Sequence, residues 1–297
     1  RGDVMSTLQQ FSSIEDIILS HHGEGRKKSI EGMAQLKSFL PADFCRDAAR
    51  FLYELPGLVM VVTGFYEPVP QTIETDGPPG AIAIGNALRK LGREVIYISD
   101  KYAVDYLRTL GGGSDVVEYP IADHEDSRDF ASKLLSTYNP AVVVGIERCS
   151  LTDDGNYYNM SFQNLSAFTA KTDYLFTQHS HTIGIGDGGN EIGMGNLYNA
   201  IASIPSLPKK PAVTGSTHLI ISSVSNWAGY GLAAALSQVS GKDVSTSRTE
   251  AESVINAMIE LGAVDGELLE PIPWVDGFSL DENLEIVDRL LACSNTM

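Results

Sequence analysis

The sequence predicts an α/β fold, Rossmann-like and three-layered, with a mainly parallel sheet and an N-terminal helical extension. Three observations predict it. From Leu58 onward, short apolar runs rich in β-branched residues recur at residues 58–63, 94–99, 115–119 and 141–146. Such runs mark strands buried on both faces. Helical stretches separate them at residues 80–91, 101–110 and 127–138. Strand, helix, strand at this spacing gives βαβ units and a parallel sheet. The third observation is size: 297 residues, 43% of them hydrophobic, suffice for one α/β domain with a full core. The expected organisation is one domain over 1–297, with 1–56 as the helical extension and 57–297 as sheet and flanking helices.

In chain order, Ser13 caps a short helix whose apolar residues recur at helical spacing. Residues 30–39 form a second helix. Pro41 opens a third towards Leu55, because proline fits a first helical turn. Arg26, Lys27 and Lys28 read as a solvated helix start. Residues 174–177 and 218–222 are further strand candidates. Residues 226–239 form a helix of small residues, and 249–261 and 281–293 are amphipathic helices.

The net charge of −17 and pI near 4.6 disfavour nucleic acid and anionic membranes, since phosphate contact needs clustered Lys and Arg. No apolar run is long enough to span a bilayer. Cys45, Cys149 and Cys293 are odd in number and far apart, which fits reduced thiols in a cytoplasm-like compartment. No signal peptide is visible. The expected partner is a small molecule, and a homo-oligomer is compatible with this reading.

The chemistry concentrates at residues 183–196, I-G-I-G-D-G-G-N-E-I-G-M-G-N. Glycines let a ligand approach bare backbone. Between them stand Asp187, Asn190 and Glu191, the residue types that move protons or hold a cation. The bland alternative is a tight turn with Asp187 or Asn190 as a helix cap. Gly184, Gly186 and Gly189 fit G-x-G-x-x-G, but the two acids would repel a pyrophosphate. The Walker A spacing lacks its Lys and Ser/Thr.

In parallel sheets, ligands bind beyond the carboxyl ends of the strands. The loops there carry Glu74 and Asp76, then Glu147, Arg148 and Cys149, then residues 153–160, then Ser225, Asn226 and Trp227. Gly80 is expected to open a helix whose N–H groups face an anion. Residues 74–80, 147–148, 187–191 and 225–227 are therefore expected to converge on one cleft. Each has a structural counterpart: caps for Glu74, Asp76 and Asn226, an ion pair for Glu147 and Arg148, core for Tyr157, Tyr158 and Trp227. His179 and His181 alternate as on a strand and offer a two-His metal site, though satisfied structural histidines are commoner. No zinc spacing is present. Cys149 beside Arg148 is a weaker candidate for an activated thiolate.

The stretches T-G-F-Y (63–66), E-T-D-G-P-P-G-A (74–81), I-E-R (146–148), D-G-N-Y-Y-N-M (154–160), G-I-G-D-G-G-N-E-I-G-M-G (184–195) and S-N-W (225–227) resemble the C-terminal domain of the D-glutamate cyclase family. In animals that domain follows a larger one in a mitochondrial protein, so the resemblance implies the mitochondrial matrix for a eukaryotic source. It also implies a hydro-lyase that interconverts D-glutamate with 5-oxo-D-proline and water. That reaction needs a base for the ammonium, an acid and oxyanion donors for the γ-carboxyl, and a partner for the α-carboxylate. On residue chemistry, Asp187, Glu191 and Asn190 are the catalytic candidates. The backbone at Gly186, Gly188 and Gly189 is the expected oxyanion hole. Arg148 is expected to take a substrate carboxylate, and Glu74, Asp76, Glu147 and Asn226 to bind the rest. A divalent ion on these acids is an alternative way to polarise the γ-carboxyl; the metal is left open. Rival readings are a non-catalytic binding domain for an amino acid or nucleotide, and a metal-dependent amide or lactam hydrolase. Asp187 and Glu191 are expected to matter for turnover more than for folding.

Overall fold

The computed structural model describes residues 13–20 and 29–294. The basic run at 26–28 lies outside the described residues. The chain opens with α1 (Ile14–Ile18), α2 (Ile30–Leu36) and α3 (Phe44–Glu54). Ser13 caps α1 through a reciprocal box with Asp16. The third helix starts at Phe44 rather than at Pro41. Then follow β1 (Val59–Thr63), a small antiparallel hairpin of β2 (Tyr66–Glu67) and β3 (Thr72–Ile73), and α4 (Pro78–Lys90). Next come β4 (Val95–Ser99), α5 (Val104–Leu110), β5 (Asp115–Glu118), α6 (His124–Tyr138) and β6 (Val142–Ile146). The last part holds α7 (Asp173–Thr177), β7 (Thr182–Gly186), α8 (Tyr198–Ser203), β8 (His218–Ile221), α9 (Ser225–Ser240), α10 (Arg248–Glu260) and α11 (Leu280–Ser294).

Six strands pair in the order β5-β4-β1-β6-β7-β8, every pair parallel. The fold is thus α/β with a parallel sheet, as the apolar runs implied. The order reverses direction between β1 and β6, the switch point where Rossmann-like sheets open a crevice. Strand residues alternate between two cores. Val59, Val61, Val95, Tyr97, Val142 and Val144 face α3, α4 and α9, while Met60, Val62, Ile96, Ile98 and Val143 face α6 and α7. No described helix is long and apolar enough to cross a membrane.

Two assignments change. Residues 174–177 lie in the helix α7, not in a strand. A four-residue apolar run does not distinguish the two, and here Phe176 reaches the sheet by packing where Gly145 has no side chain. The strand on that side is β7, T-I-G-I-G, hidden by its glycines. A Cβ on Gly184 would lie 2.5 Å from the Cα of Gly193, so the returning loop rests directly on the strand backbone.

Helices α4 and α9 also touch through glycine: a Cβ on Gly229 would lie 2.6 Å from the Cα of Gly80. Gly229→Ala is therefore expected to destabilise the fold by about 1–3 kcal/mol by overpacking, read as a lower urea midpoint. An increase in stability, as better helix propensity alone would give, would show that the helices have room to part.

Candidate active site

The carboxyl ends of β1, β6, β7 and β8 point their loops at the first turn of α9. The residue before that helix, Val224, offers no side-chain cap, so its N–H groups find acids from other loops. The Ser225 N–H donates to Asp76 Oδ2 at 2.8 Å and to Asp187 Oδ2 at 3.0 Å. The Asn226 N–H donates to Asp76 Oδ1 at 2.7 Å. In return, Asn226 Oδ1 accepts from the N–H groups of Gly77 (3.0 Å) and Gly80 (2.8 Å) and caps α4. Each helix is thus capped by a residue at or just before the start of the other. Gly80 thus lies inside α4, which begins at Pro78, and its N–H is committed to Asn226 rather than to an anion.

Glu147 follows β6 with a left-handed backbone, φ +42°. Its Oε2 accepts from Ser225 Oγ at 2.5 Å. Gly77, at φ +98°, has no side chain to collide with it. Asp276 also sits left-handed, φ +53°, on the loop between α10 and α11. Non-glycine residues held in that region store strain and cluster at functional sites.

Of these groups, Glu147, Asp187 and Asp276 help to wall a cavity of about 240 Å³, the scale of a small metabolite. Its acids are Glu67, Glu74, Glu147, Asp187, Glu191, Glu267 and Asp276, with Phe65 and Asn190 beside them and Met160 and Val69 at the rim. Glu74 and Glu147 are buried, and burial together with the surrounding carboxylates pushes both well above the usual carboxyl range. Burial, Asp276 and Glu267 push Glu67 up to about 7. Two triads have carboxyl oxygens within 4.8 Å of one another: Asp76, Asp187 and Asp276, and Glu147, Asp187 and Glu191.

The four expected stretches meet at this end of the sheet, but only Glu74, Glu147, Asp187, Asn190 and Glu191 of them line the cavity; Asp76 and Asn226 stand in the caps of α9 and α4, and Arg148 and Glu191 take other roles. Arg148 turns away from the cavity. It is 2% exposed, pairs with Asp100 at 2.6 Å, and donates to the carbonyls of Gly64 and Ala170. It ties β1, β6 and the loop at 170 together and is not placed to take a substrate carboxylate. Glu191 folds back onto its own loop. Its Oε1 accepts from the N–H groups of Asp187 (2.9 Å) and Gly188 (2.5 Å), and its Oε2 from Gly189 (2.6 Å). The nest expected to form an oxyanion hole is filled by the protein's own carboxyl group.

Gly186 ends β7, and its missing side chain leaves room for Glu191. Gly188 makes the same room beside Asn190, and Gly189 turns at φ +102°. Asn190 lines the cavity and donates from Nδ2 to the Tyr158 carbonyl at 3.1 Å. Burial raises the Cys149 thiol well above its ordinary value, so it is no activated thiolate. His179 and His181 precede β7, at the opposite end of the sheet. Both ring nitrogens of His179 are engaged by backbone: Nε2 with the Pro140 carbonyl, and Nδ1 with His181, whose N–H it can accept. Tyr157 and Trp227 are core, bonded to Asp173 and Asn283.

Residue chemistry at strand ends missed Asp276, Glu67 and Glu267. Glu267 and Asp276 follow no strand of the parallel sheet; Glu67 does follow β1, on the short strand β2, and was passed over there. The signal near Asp276 is the Asp-Gly pair at 276–277 between two helices, a turn signature.

Because Glu191 satisfies three buried N–H groups, Glu191→Gln replaces one acceptor by a donor and strands at least one of them. A loss of about 1–3 kcal/mol in folding stability is expected, measured by chemical denaturation. An unchanged midpoint would show that the loop holds its shape without this carboxyl.

A family model described as D-glutamate cyclase-like, C-terminal, matches residues 14–291. The human mitochondrial D-glutamate cyclase is 34% identical over 203 residues, covering 60% of this chain and 32% of that protein. The chain thus spans about a third of that relative's length. Among solved structures, a short-chain dehydrogenase from Streptomyces avermitilis matches 57% of this chain and 72% of its own at 14% identity and a TM-score of 0.28. The Cj0485 dehydrogenase matches 45% and 53% at 10% identity and a TM-score of 0.25. Likenesses this low carry no argument. The sequence match does: it runs through every loop that walls the cavity, and the chain belongs to the D-glutamate cyclase-like, C-terminal family.

Proposed function

We propose that this cavity interconverts D-glutamate with 5-oxo-D-proline and water. The observation that carries the reading is Glu147: a buried carboxyl on a strained backbone, facing a metabolite-sized cavity and bonded to Ser225, in a chain of this family. In the forward direction the amine nitrogen attacks the γ-carboxyl carbon. A nitrogen–carbon bond forms and a carbon–oxygen bond breaks. Two protons pass from the ammonium to the departing oxygen, which leaves as water, and one hydrogen stays on the ring nitrogen. Charge is conserved, so the enzyme needs only to relay protons and to hold the reacting ends together.

Glu147 is suited to that relay. Burial and the neighbouring carboxylates raise the proton affinity of Glu147 well above that of an ordinary carboxyl, which suits it to take a proton and pass it on. One of its oxygens is held by Ser225 Oγ, which fixes the side chain against the cavity. Asp187 stands next to it, positioned by the same residue's N–H. The acidic wall complements the substrate ammonium. Glu191 and Arg148 have no proton-transfer or anchoring role in this reading; they shape the loop and the strand ends.

Supplying D-glutamate and 5-oxo-D-proline separately and following both by chromatography tests the reading. Each is expected to give the other. Glu147→Gln and Asp187→Asn should melt near the wild type and lose at least ~10²-fold in turnover, the typical contribution of a positioned acid or base. Wild-type rates in both variants would remove these acids from the chemistry.

A further inference from the structure

We infer that Asp76, Asp187 and Asp276 form a binding site for one divalent cation of the magnesium, manganese or calcium class. The inference deepens the proposed reaction by naming the group that meets the substrate's carboxylates, although cation binding itself does not depend on that reaction. One carboxyl oxygen from each residue lies within 4.8 Å of the others. Oxygens bound to a hard divalent ion at about 2.0–2.6 Å stand at most roughly 4–5 Å apart across it. An all-oxygen donor set selects this class of ion over zinc or copper. The carboxylates are also held in place: the first-turn N–H groups of α9 donate to both oxygens of Asp76 and to Asp187 Oδ2. Hydrogen bonds of that kind orient ligands at metal sites.

An independent observation comes from Glu74. It is 7% exposed and lines the cavity, with its carboxyl and that of Asp276 flanking the bare Cα of Gly266. No described residue donates a hydrogen bond to that carboxyl. Glu67, 8% exposed, faces the same space in the same condition. A buried carboxyl without a hydrogen-bond partner is costly, and a cation on Asp76, Asp187 and Asp276 places positive charge beside Glu74, which feels the charge of all three. Among the described residues that line the cavity, none is Lys, Arg or His. D-glutamate brings two carboxylates of its own, and a divalent ion lets an acidic wall accept them.

The test is titration of the full chain with manganese chloride alone, followed by the electron paramagnetic resonance of free manganese and by calorimetry. One manganese per chain is expected, with a dissociation constant below roughly 10⁻³ M. Asp276→Asn and Glu74→Gln should weaken it by at least ~10-fold, as loss of a ligand or its support does. The exposed Asp105→Asn should bind as the wild type does, and melting curves confirm that each variant is folded. No binding tighter than the stated limit, or equal binding in all folded variants, overturns the inference. A chain that binds manganese at this site but leaves D-glutamate untouched overturns only the proposed reaction. A chain that turns over D-glutamate in EDTA and binds no manganese overturns only the cation.

Discussion

The structure depends on the mutual capping of α4 and α9. Helix N-termini carry N–H groups without intrahelical partners and a partial positive charge. Asp76, just before α4, takes the N–H groups of α9; Asn226, in the first turn of α9, takes those of α4. Two long helices are thereby registered against each other at the switch point of the sheet. The glycine contact between Gly80 and Gly229 lets them approach closely enough for this. Moving either helix along its axis would break both caps at once, so the first turn of α9 is a fixed reference for everything around it.

The acids of the cavity are built on that reference. Ser225 alone engages three of them: its N–H reaches Asp76 and Asp187, and its hydroxyl reaches Glu147. Burial raises the proton affinities of Glu74 and Glu147, and repulsion from the neighbouring carboxylates raises them further. The helix terminus offsets part of it. The rest is a cost the fold carries, as proteins do at sites where chemistry requires it. Glu191 solves a separate problem. By filling the nest of its own loop, it lets a chain segment with little side-chain packing hold one shape, which leaves Asp187 and Asn190 facing the cavity.

Much of this was legible in the sequence, for reasons that also set its limits. The β-branched runs at β1, β4 and β6 announce themselves because both faces are buried. β7 does not, because its pleat carries glycines to admit the loop at Gly193. The rule that ligands gather at strand ends found Glu74, Asp76, Glu147, Asp187 and Asn226, which do meet. It could not say which way a side chain turns. Arg148 and Glu147 are neighbours, and alternation sends one to Asp100 and the other to Ser225. Glu191 looked free among glycines, yet a glutamate two to four residues after bare N–H groups is long enough to reach back to them. Asp276 lies far along the chain from any strand, and only tertiary packing brings it in.

An isotope tests whether this acidic cavity carries out the proposed lactam chemistry. The purified chain is given 5-oxo-D-proline in ¹⁸O-labelled water, and the D-glutamate formed is read by mass spectrometry. The account predicts one labelled oxygen, confined to the γ-carboxylate, formed by the wild type and suppressed in Glu147→Gln. No labelled D-glutamate from the wild type, or equal labelling by the variant, would contradict it.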